Sequence, residues 1–360
     1  MRKAKQTEKQ YDVLLLSYTD YKKEGRCHRA YKALSEIASV YVIDVTNDPV
    51  QEPSHTGIRK EANNRKNFIN YTKCCYRIAK KIKFKILYVA NYYTALAALL
   101  IRRFTKCRII YDAYELYFPE GVDGFSRRDK FFHFFEKKII HNSNAIIAAN
   151  ESRALIMLGY YRLKKMPYVV ENVSGTPGLL SEPHKRNDTY KIVYAGYLAK
   201  ERGLLELTEA VISLNRDDIS LHLYGYGENI DWYLELAKND SRFAYHGPYN
   251  NDMLYEILSK YDIGFIYYST NSINNIFCAP NKFYDYIYSG LPVIGNDNYG
   301  IKRLANDLQL GCCNSDLVCA LRDVIENYEN YAKNVYELSK IDLQKKVVKT
   351  IQKIYNDICK

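Results

Sequence analysis

The chain has 360 residues, 47% of them hydrophobic, and a formal net charge of +11. This length exceeds what one hydrophobic core usually fills, so we expect two domains. The sequence has no run of about 18 apolar residues, and no apolar segment directly follows the basic residues 1–6. It therefore predicts neither a membrane-spanning helix nor a signal peptide. Nine cysteines without metal-ligand spacing indicate reduced thiols, as expected in the cytoplasm.

The predicted elements alternate between strands and helices. A first strand at residues 11–17 is followed by a loop with Gly25 and Arg26 and by a helix that includes residues 30–37. Apolar runs predict the other strands of a first sheet at residues 40–43, 86–89, 108–112, 145–148 and 168–170. Residues 173–189, with several Gly, Pro and charged residues, form a predicted linker.

A second set of predicted strands follows the linker, at residues 192–195, 221–224, 244–246, 263–266 and 293–294. Residues 337–360 predict an amphipathic helix with Leu343, Val347, Ile351 and Ile354 on one face. The alternation predicts the α/β class, with two doubly wound, Rossmann-like domains at residues 1–172 and 190–336 that face a cleft. Ligands of such sheets bind at the carboxyl ends of the strands.

Positive charge is concentrated in the first half of the chain. Residues 1–180 hold 32 Lys and Arg against 17 Asp and Glu (+15), whereas residues 181–360 hold 20 against 24 (−4). Residues 59–85 are especially basic. Apolar side chains recur among them at helical spacing: Phe68, Tyr71, Cys75, Ile78 and Ile82. The pattern predicts a basic amphipathic helix that lies on an anionic leaflet or packs into the core with a solvated face.

Residues 279–294 form the most informative segment. Pro280 can open a helix, Gly290 can end it in a left-handed conformation, and a buried strand follows. The start of the helix, at Asn281, is a ready anion site, to which Lys282 adds a mobile cation. Asp285, one turn further, can accept hydrogen bonds from sugar hydroxyls. The combination suits a nucleoside diphosphate-sugar; the alternative is an ordinary αβ unit of a parallel sheet.

Three further segments follow predicted strands. Gly196 permits close approach of the backbone to a ligand, and Lys200 and Arg202 can clamp a diphosphate, unless this loop is simply solvated. Tyr226 lies in a Gly-containing loop that either receives a nucleobase or forms a plain tight turn. Tyr114 and Glu115 follow the fourth strand, where a carboxylate either enters the cleft or caps a helix.

Taken together, these segments resemble the GT-B glycosyltransferases of family 4, over nearly the whole chain. Residues 111–116, Tyr-Asp-Ala-Tyr-Glu-Leu, are similar to the family's Tyr-Asp-Ala-His-Glu-Leu. Residues 194–203 resemble its donor-diphosphate loop, residues 224–227 and 246–248 its later glycine motifs, and residues 280–293 its most specific segment. The predicted helix at residues 337–360 resembles the one that crosses back to the first domain in this fold.

The chain departs from the family pattern at three positions. Tyr114 replaces a histidine, and Tyr197 replaces an arginine of the diphosphate loop, although Arg202 keeps the second basic position. The family's paired glutamates correspond to Phe277 and Asp285, so one carboxylate of the pair is kept.

The resemblance implies transfer of a sugar, of the hexosyltransferase type, to a glycan or lipid-diphosphate acceptor in surface polysaccharide assembly (capsule or lipopolysaccharide). It further implies retention at the anomeric carbon, and no metal or other cofactor. Its implied catalytic residues are Tyr114, Glu115 and Asp285. The residues implied in donor binding are Gly196, Lys200, Arg202, Tyr226, Pro280, Asn281 and Lys282. The first domain would take the acceptor, on the inner face of the plasma membrane if its basic surface meets anionic lipid.

Three alternatives differ in function. The substitutions at Tyr114 and Phe277 fit a catalytically silent GT-B subunit that binds a partner enzyme. A GT-B sugar-nucleotide epimerase is a second possibility, because a fold does not fix a function. A nucleic-acid binder is suggested by charge alone, and the sequence contains no motif that supports it.

Overall fold

The computed structural model describes residues 9–118, 126–173 and 180–360. The basic residues 1–6 and part of the predicted linker lie outside the described residues. The chain divides into two compact units. The first unit comprises Met1–Asn172 with Lys345–Lys360, and the second comprises Val173–Gln344.

The first unit is built on an eight-stranded sheet with the order β10-β9-β8-β7-β2-β3-β5-β4. Adjacent strands are parallel except for β4 and β5, which are antiparallel, and β1 pairs with β6 in a separate parallel ladder. The strands are β1 (Lys9–Gln10), β2 (Val13–Leu16), β3 (Val40–Thr46), β4 (Val50–Glu52), β5 (His55–Arg59), β6 (Ile82–Lys83), β7 (Ile86–Ala90), β8 (Arg108–Ala113), β9 (Ala145–Ala148) and β10 (Tyr168–Val169).

The helices of the first unit connect these parallel strands. They are α1 (Gly25–Ser35), α2 (Asn64–Ala79), a 3-10 turn (Tyr92–Thr94), α3 (Ala95–Arg102), α4 (Arg127–Asn142) and α5 (Glu151–Tyr160). Side chains define several helix starts: Glu24 accepts from two N–H groups of α1, and Ser126 and Asp129 form a capping box at α4. The central strand β2 is fully buried, as expected for a sheet covered on both faces.

The second unit contains a six-stranded, fully parallel sheet with the order β13-β12-β11-β14-β15-β16. Its strands are β11 (Tyr190–Ala195), β12 (Ile219–Tyr224), β13 (Phe243–Tyr245), β14 (Ile263–Ile266), β15 (Val293–Gly295) and β16 (Gly311–Cys313). The chain adds β12 and β13 on one side of β11 and then returns to the other side for β14. The sheet therefore has a topological switch point between β11 and β14, where ligands of such sheets bind.

Helices and two 3-10 turns complete the second unit. They are a 3-10 turn (Lys200–Arg202), α6 (Leu204–Leu214), α7 (Ile230–Asn239), a 3-10 turn (Asn251–Met253), α8 (Leu254–Leu258), α9 (Ile273–Ile276), α10 (Asn281–Tyr288), α11 (Tyr299–Ala305), α12 (Leu317–Glu326) and α13 (Tyr328–Ser339). The last helix, α14 (Leu343–Cys359), begins in the second unit and continues in the first.

The α/β class and the two doubly wound sheets predicted from the sequence are confirmed, and every predicted strand is present within a few residues. Three boundaries differ. Helix α1 ends at Ser35, so Ile37, which the sequence placed in this helix, lies beyond it and is exposed. Gly25 opens α1 rather than lying in a loop, because Glu24 caps the helix one residue earlier. The C-terminal helix begins at Leu343 rather than at residue 337, because α13 ends separately at Ser339.

The basic segment at residues 59–85 is not one continuous helix. It contains the end of β5, helix α2 and strand β6. Tyr71 and Cys75, in the middle of the predicted apolar stripe, are fully buried. The stripe therefore packs into the first unit, which is the second of the two alternatives for this segment. None of the helices in the described part of the chain combines the length and hydrophobicity needed to cross a bilayer.

Candidate functional site

Two glycine-containing loops continue the pairing of β11 and β12 beyond the ends of the strands. The N–H of Gly196 donates to the carbonyl of Tyr224 (2.9 Å), and the N–H of Leu198 donates to the carbonyl of Tyr226 (2.9 Å). Gly225 has φ of +132°, and a Cβ atom there would collide with the carbonyl oxygen of Gly196. Only glycine fits this close approach, so the loops form a rigid backbone surface beside the switch point.

Lys282 is fixed to this surface and is not the mobile cation that the sequence suggested. Its Nζ donates to the carbonyl oxygen of Ala195, the last residue of β11, and lies 5.0 Å from the centroid of the Tyr194 ring. Burial lowers the pKa of the Lys282 ammonium, Asp285 opposes this change and Arg202 adds to it, and the resulting pKa is about 8. A Cβ atom on Gly196 would collide with this ammonium. Glycine at 196 therefore makes room for the cation.

Arg202 supplies a second cation from the loop after β11. Its guanidinium lies 4.8 Å from the centroid of the Tyr268 ring, just beyond β14. Gly203, with φ of +65°, follows it and opens α6 without a side-chain cap. Arg202 thus lies where the loops after β11 and β14 meet. Lys200 is exposed, and its backbone N–H donates to Glu228 (3.3 Å).

The start of α10 contributes backbone donors. Pro280 occupies the N-cap position and makes no side-chain capping bond. Its side chain therefore leaves the first backbone N–H groups of the helix, which begin at Asn281, without a capping acceptor. Helices α6, α7, α8 and α13 also lack a side-chain cap, whereas α11 and α12 are capped by Asn298 and Asp316. Gly290 adopts φ of +83° after this helix, as predicted.

Asp285 lies in α10, close to these cations. Its side chain is buried, and its Oδ1 accepts a hydrogen bond from the Tyr255 hydroxyl (3.3 Å). Burial, with a contribution from the Asp285 charge, raises the pKa of Tyr249 to about 12, which keeps this neighbouring hydroxyl neutral. Asp285 is therefore a negative charge held among tyrosine hydroxyls and near Lys282.

Two aromatic rings project from the glycine loops. The exposed fractions of Tyr226 and Tyr197 are 67% and 49%, and the two rings meet edge to face with centroids 5.5 Å apart. Flat, exposed rings beside a rigid backbone can stack on a nucleobase or a sugar. The sequence pointed to Tyr226, whereas Tyr197 was noted only as a departure from the family pattern.

In the first unit, the predicted residues Tyr114 and Glu115 follow β8. The Tyr114 ring lies 5.5 Å from the guanidinium of Arg26, and its hydroxyl is buried without a hydrogen-bond partner among the described residues. Burial raises the pKa of Tyr114 well above its usual value, so this hydroxyl stays neutral. Glu115 is exposed at its surface, but the protein around it reduces its solvation and raises the pKa of its carboxyl, while Arg153 lowers this pKa. The catalytic roles of Tyr114 and Glu115 therefore remain predictions.

A buried ion pair orders the backbone beside Tyr114. Arg26 donates to Asp112 at 2.7 Å and to the carbonyl of Val170 at 2.9 Å, and the Tyr88 hydroxyl donates to Asp112 at 2.6 Å. All polar atoms of the pair are therefore engaged by α1, β7, β8 and the end of β10. Such satisfied pairs hold elements in register, so Asp112 has a structural role here.

The sequence did not point to a large cavity in the first unit. It measures about 1080 Å³ and opens at the carboxyl ends of β2, β3 and β7. Its walls include aromatic rings and cationic side chains: Tyr18, Phe68, Tyr93, Phe131, Phe132, Lys23, Lys60, Arg65 and Arg128. Tyr18 stacks on Tyr93 with centroids 5.4 Å apart, and Asn67 donates to the Tyr18 hydroxyl (3.0 Å). The cavity thus combines flat apolar walls with positive charge.

Solved structures resemble the chain over nearly its whole length. A glycosyltransferase from Rickettsia africae ESF-5 aligns with a TM-score of 0.68 at 15% identity, over 97% of this chain and 99% of that one. WaaG, a glycosyltransferase involved in lipopolysaccharide biosynthesis, aligns with a TM-score of 0.65 at 13% identity, over 96% and 99%. HepE from Anabaena, in complex with UDP-glucose, aligns with a TM-score of 0.66 at 12% identity, also over 96% and 99%.

The chain has the GT-B fold. No protein-family model matches its sequence, and no curated protein matches it by sequence. The GT-B fold accounts for the two α/β units and for α14, which begins in the second unit and continues in the first. Within the described residues, no group of three or more His, Cys, Asp or Glu side chains is placed to hold a metal ion.

Proposed function

We propose that the protein is a glycosyltransferase that moves a sugar from a nucleoside diphosphate-sugar to a glycan or lipid-linked acceptor, in surface polysaccharide assembly. The observation that carries this proposal is the placement of Lys282 and Arg202 around the Gly196 loop, at the switch point of the second unit's sheet. Two cations and two helix starts without side-chain caps suit a diphosphate. HepE, of the same fold, forms complexes with UDP and with UDP-glucose, which supports this choice of donor.

The donor would be bound by residues of the second unit. The residues assigned to it are Gly196, Lys200, Arg202, Tyr226, Pro280, Asn281 and Lys282. The diphosphate would lie against the Gly196 loop and the start of α10, and Tyr226 would face the base. Asp285 would orient the donor, most simply by accepting hydrogen bonds from ribose hydroxyls.

The reaction breaks the bond between the anomeric carbon and the diphosphate oxygen, and negative charge grows on that oxygen. Lys282 is held by Ala195 before the ligand arrives, so it needs little reorganisation to stabilise this charge. With Arg202 beside it, the site supplies the positive charge for a leaving diphosphate from the protein itself. We therefore propose transfer without a divalent metal; the proposal that the anomeric configuration is retained rests on the resemblance to family 4.

The acceptor would be bound in the cavity of the first unit. Sugar rings have apolar C–H faces that pack on aromatic walls such as Tyr93 and Phe132. The side chains of Lys60 and Arg65 would attract a phosphate or carboxylate on the acceptor. Glu115 follows β8 and does not line this cavity, so we propose that it exchanges a proton only with an acceptor hydroxyl that extends beyond the cavity. The buried Tyr114 hydroxyl restricts that residue to shaping the site.

The test is a screen of UDP-, GDP- and ADP-sugars for thermal stabilisation of the purified protein, followed by measurement of nucleoside diphosphate release with glycan and lipid-linked acceptors. We expect one donor class to stabilise the protein and to be consumed only with acceptor. Stabilisation by no nucleotide sugar would contradict the proposal. Binding without turnover would favour the silent subunit, and an altered nucleotide sugar without transfer would favour the epimerase.

A further inference from the structure

The first unit carries a second basic surface, at the opposite edge of its sheet from the cavity. Four adjacent strands, β7, β8, β9 and β10, run parallel, so the segments that precede them meet at one edge. We call this the amino edge and define it by residues 80–85, 102–108, 141–144 and 162–167. These four segments contain eleven Lys or Arg, one His and no Asp or Glu.

Acidic residues follow three of the same strands at their carboxyl ends. The segments that follow β8, β9 and β10 contain Glu115, Glu151 and Glu171, with Arg153 as their basic residue. The amino edge, which lacks acidic residues, thus differs from the carboxyl edge, where the cavity's Lys23, Lys60, Arg65 and Arg128 occur together with acidic residues. Cations in the last turn of a helix complement its dipole, which accounts for Arg102 and His141 at the ends of α3 and α4. Lys80 and Arg103 occupy the C-cap positions of α2 and α3 and can act in the same way, whereas Arg162, Lys164 and Lys165 lie beyond the C-cap of α5.

The amino edge also forms a groove of about 1010 Å³. Its lining includes Arg108, Arg162, Lys164, Lys165 and Lys360. The acids nearby are paired: Asp357 with Lys360 (3.5 Å), and Asp12 with Lys85 (3.0 Å). Among the residues that the structure describes, no carboxylate lies within 4 Å of Arg103, Lys164 or Lys165. The surface therefore keeps most of its positive charge for an external partner.

Apolar side chains are exposed among these cations. Phe104 is 38% exposed, and its ring meets Tyr76 edge to face at 5.1 Å, with Lys80 placed 4.4 Å from the Tyr76 centroid. Met166 is 41% exposed at the other end of the edge. Aromatic and apolar groups interspersed with Lys and Arg are suited to the boundary between headgroups and acyl chains.

We infer that the amino edge docks on an anionic bilayer, with lipid phosphates in the groove at Arg162, Lys164 and Lys165. This inference does not depend on sugar transfer. The apolar stripe of residues 59–85, which the sequence allowed to face lipid, packs inward. The proposed lipid-binding surface is instead formed by four separate segments. Each engaged Lys or Arg at an anionic leaflet contributes about fivefold to binding, within a Debye length.

One consequence does rest on the proposed function. The cavity lies at the carboxyl edge, and a strand of six residues such as β8 spans about 20 Å. A protein docked by its amino edge would hold the acceptor site roughly that far from the lipid. The accepting sugar would then belong to a glycan of several units rather than to a monosaccharide attached directly to its lipid.

The test is co-sedimentation with phosphatidylcholine vesicles, with and without phosphatidylglycerol, at low and high salt. We expect the full chain to bind only the anionic vesicles and to be released largely by salt. The variant Arg103→Gln/Lys164→Gln/Lys165→Gln should bind on the order of 100-fold more weakly. The matched control, Lys22→Gln/Arg59→Gln/Arg127→Gln, changes the net charge equally but lies away from this edge, so it should bind like the wild type.

Thermal unfolding midpoints and nucleotide binding of both variants would establish that they are folded. Equal loss of vesicle binding in the two variants would overturn the inference, since net charge alone would then explain binding. No preference for anionic vesicles would also overturn it. Tighter binding of the purified protein to an oligonucleotide than to anionic vesicles at the same salt concentration would favour nucleic acid as the partner and overturn the inference. Failure of vesicle binding with intact sugar transfer would leave the proposed function standing.

Discussion

The ammonium of Lys282 and the carbonyl oxygen of Ala195 are joined by a hydrogen bond, although the two residues are 87 positions apart. This contact ties the start of α10 to the carboxyl end of β11. The lysine is therefore a fixed part of the second unit's switch point. It lies near Arg202 and is partly desolvated, which leads to a prediction about pH.

Donor binding should weaken as the pH rises through the pKa of Lys282, about 8 in the unliganded protein. A bound diphosphate favours the charged lysine and raises this pKa, so binding takes up a proton above pH 8. Affinity for UDP should then fall by up to about tenfold per pH unit. Calorimetry in buffers of different ionisation enthalpy would detect this uptake.

The matched variant for this prediction is Lys282→Met, which should bind UDP weakly and lose the pH dependence of UDP affinity in the same range.

The same pKa also affects folding stability. The folded-state pKa of Lys282 is lower than the unfolded value, so the folded protein binds fewer protons between about pH 8 and 10.5. Wild-type stability should therefore gain from this group as the pH rises through that window. UDP affinity that stays constant or increases from about pH 7 to 9 would exclude the assigned role of Lys282.

Gly225→Ala should damage the nucleotide site. The new Cβ would collide with the carbonyl oxygen of Gly196, and φ of +132° is unfavourable for alanine. We expect destabilisation of about 1–3 kcal/mol and weaker UDP binding. Gly159→Ala is the control, because it lies in α5 with no atom within 4 Å of the added Cβ. Thermal unfolding and calorimetry of both variants test this prediction; equal behaviour would show that the loops tolerate a side chain.

Asp285→Asn should impair use of the donor more than use of the acceptor. The change keeps the shape of the side chain but removes a charge that favours protonated Lys282. We expect a higher KM for the donor. The alkaline limb of the pH profile for donor use should move to lower pH, because loss of the Asp285 charge lowers the pKa of Lys282. Steady-state kinetics with each substrate varied separately provide the measurement, with Asp231→Asn on the exposed start of α7 as control. A change confined to the acceptor KM would refute the assigned role of Asp285.

Transfer should continue in excess chelator. Arg202, Lys282 and the start of α10 place positive charge from the protein beside the proposed diphosphate position. Rates with and without EDTA should agree within about twofold. Complete loss of activity that manganese restores would show that a metal carries the charge that we assign to these groups.

The sequence predicted the fold well where hydrophobic burial determines it. Strands such as β2 and β14 are buried on both faces and appear as continuous apolar runs. It missed five strands that lack a continuous apolar run: β1, β4, β5, β6 and β16. His55–Arg59 is largely polar, and the other four have only two or three residues each. Helix α10 was predicted because Pro280 and Gly290 mark its two ends.

The candidate site was predicted only in part. The local sequence pointed to Lys282 and Arg202 as cations, but the burial of Lys282 depends on the approach of Ala195 from a distant segment. The cavity of the first unit has walls from several separate segments, so no single motif reports it. The amino edge likewise becomes one surface only when the strand order is known.

The most direct test of the central claim is calorimetric titration of UDP and GDP into Arg202→Ala/Lys282→Ala and into a control, Lys238→Ala/Lys333→Ala, which removes two exposed lysines of the same unit. We predict that the wild type and the control bind one of these nucleotides with similar affinity. The nucleotide affinity of Arg202→Ala/Lys282→Ala should be at least about 100-fold lower than that of the wild type, since each charge-assisted contact contributes about 1.5–3 kcal/mol. Unchanged nucleotide affinity in Arg202→Ala/Lys282→Ala would contradict the account.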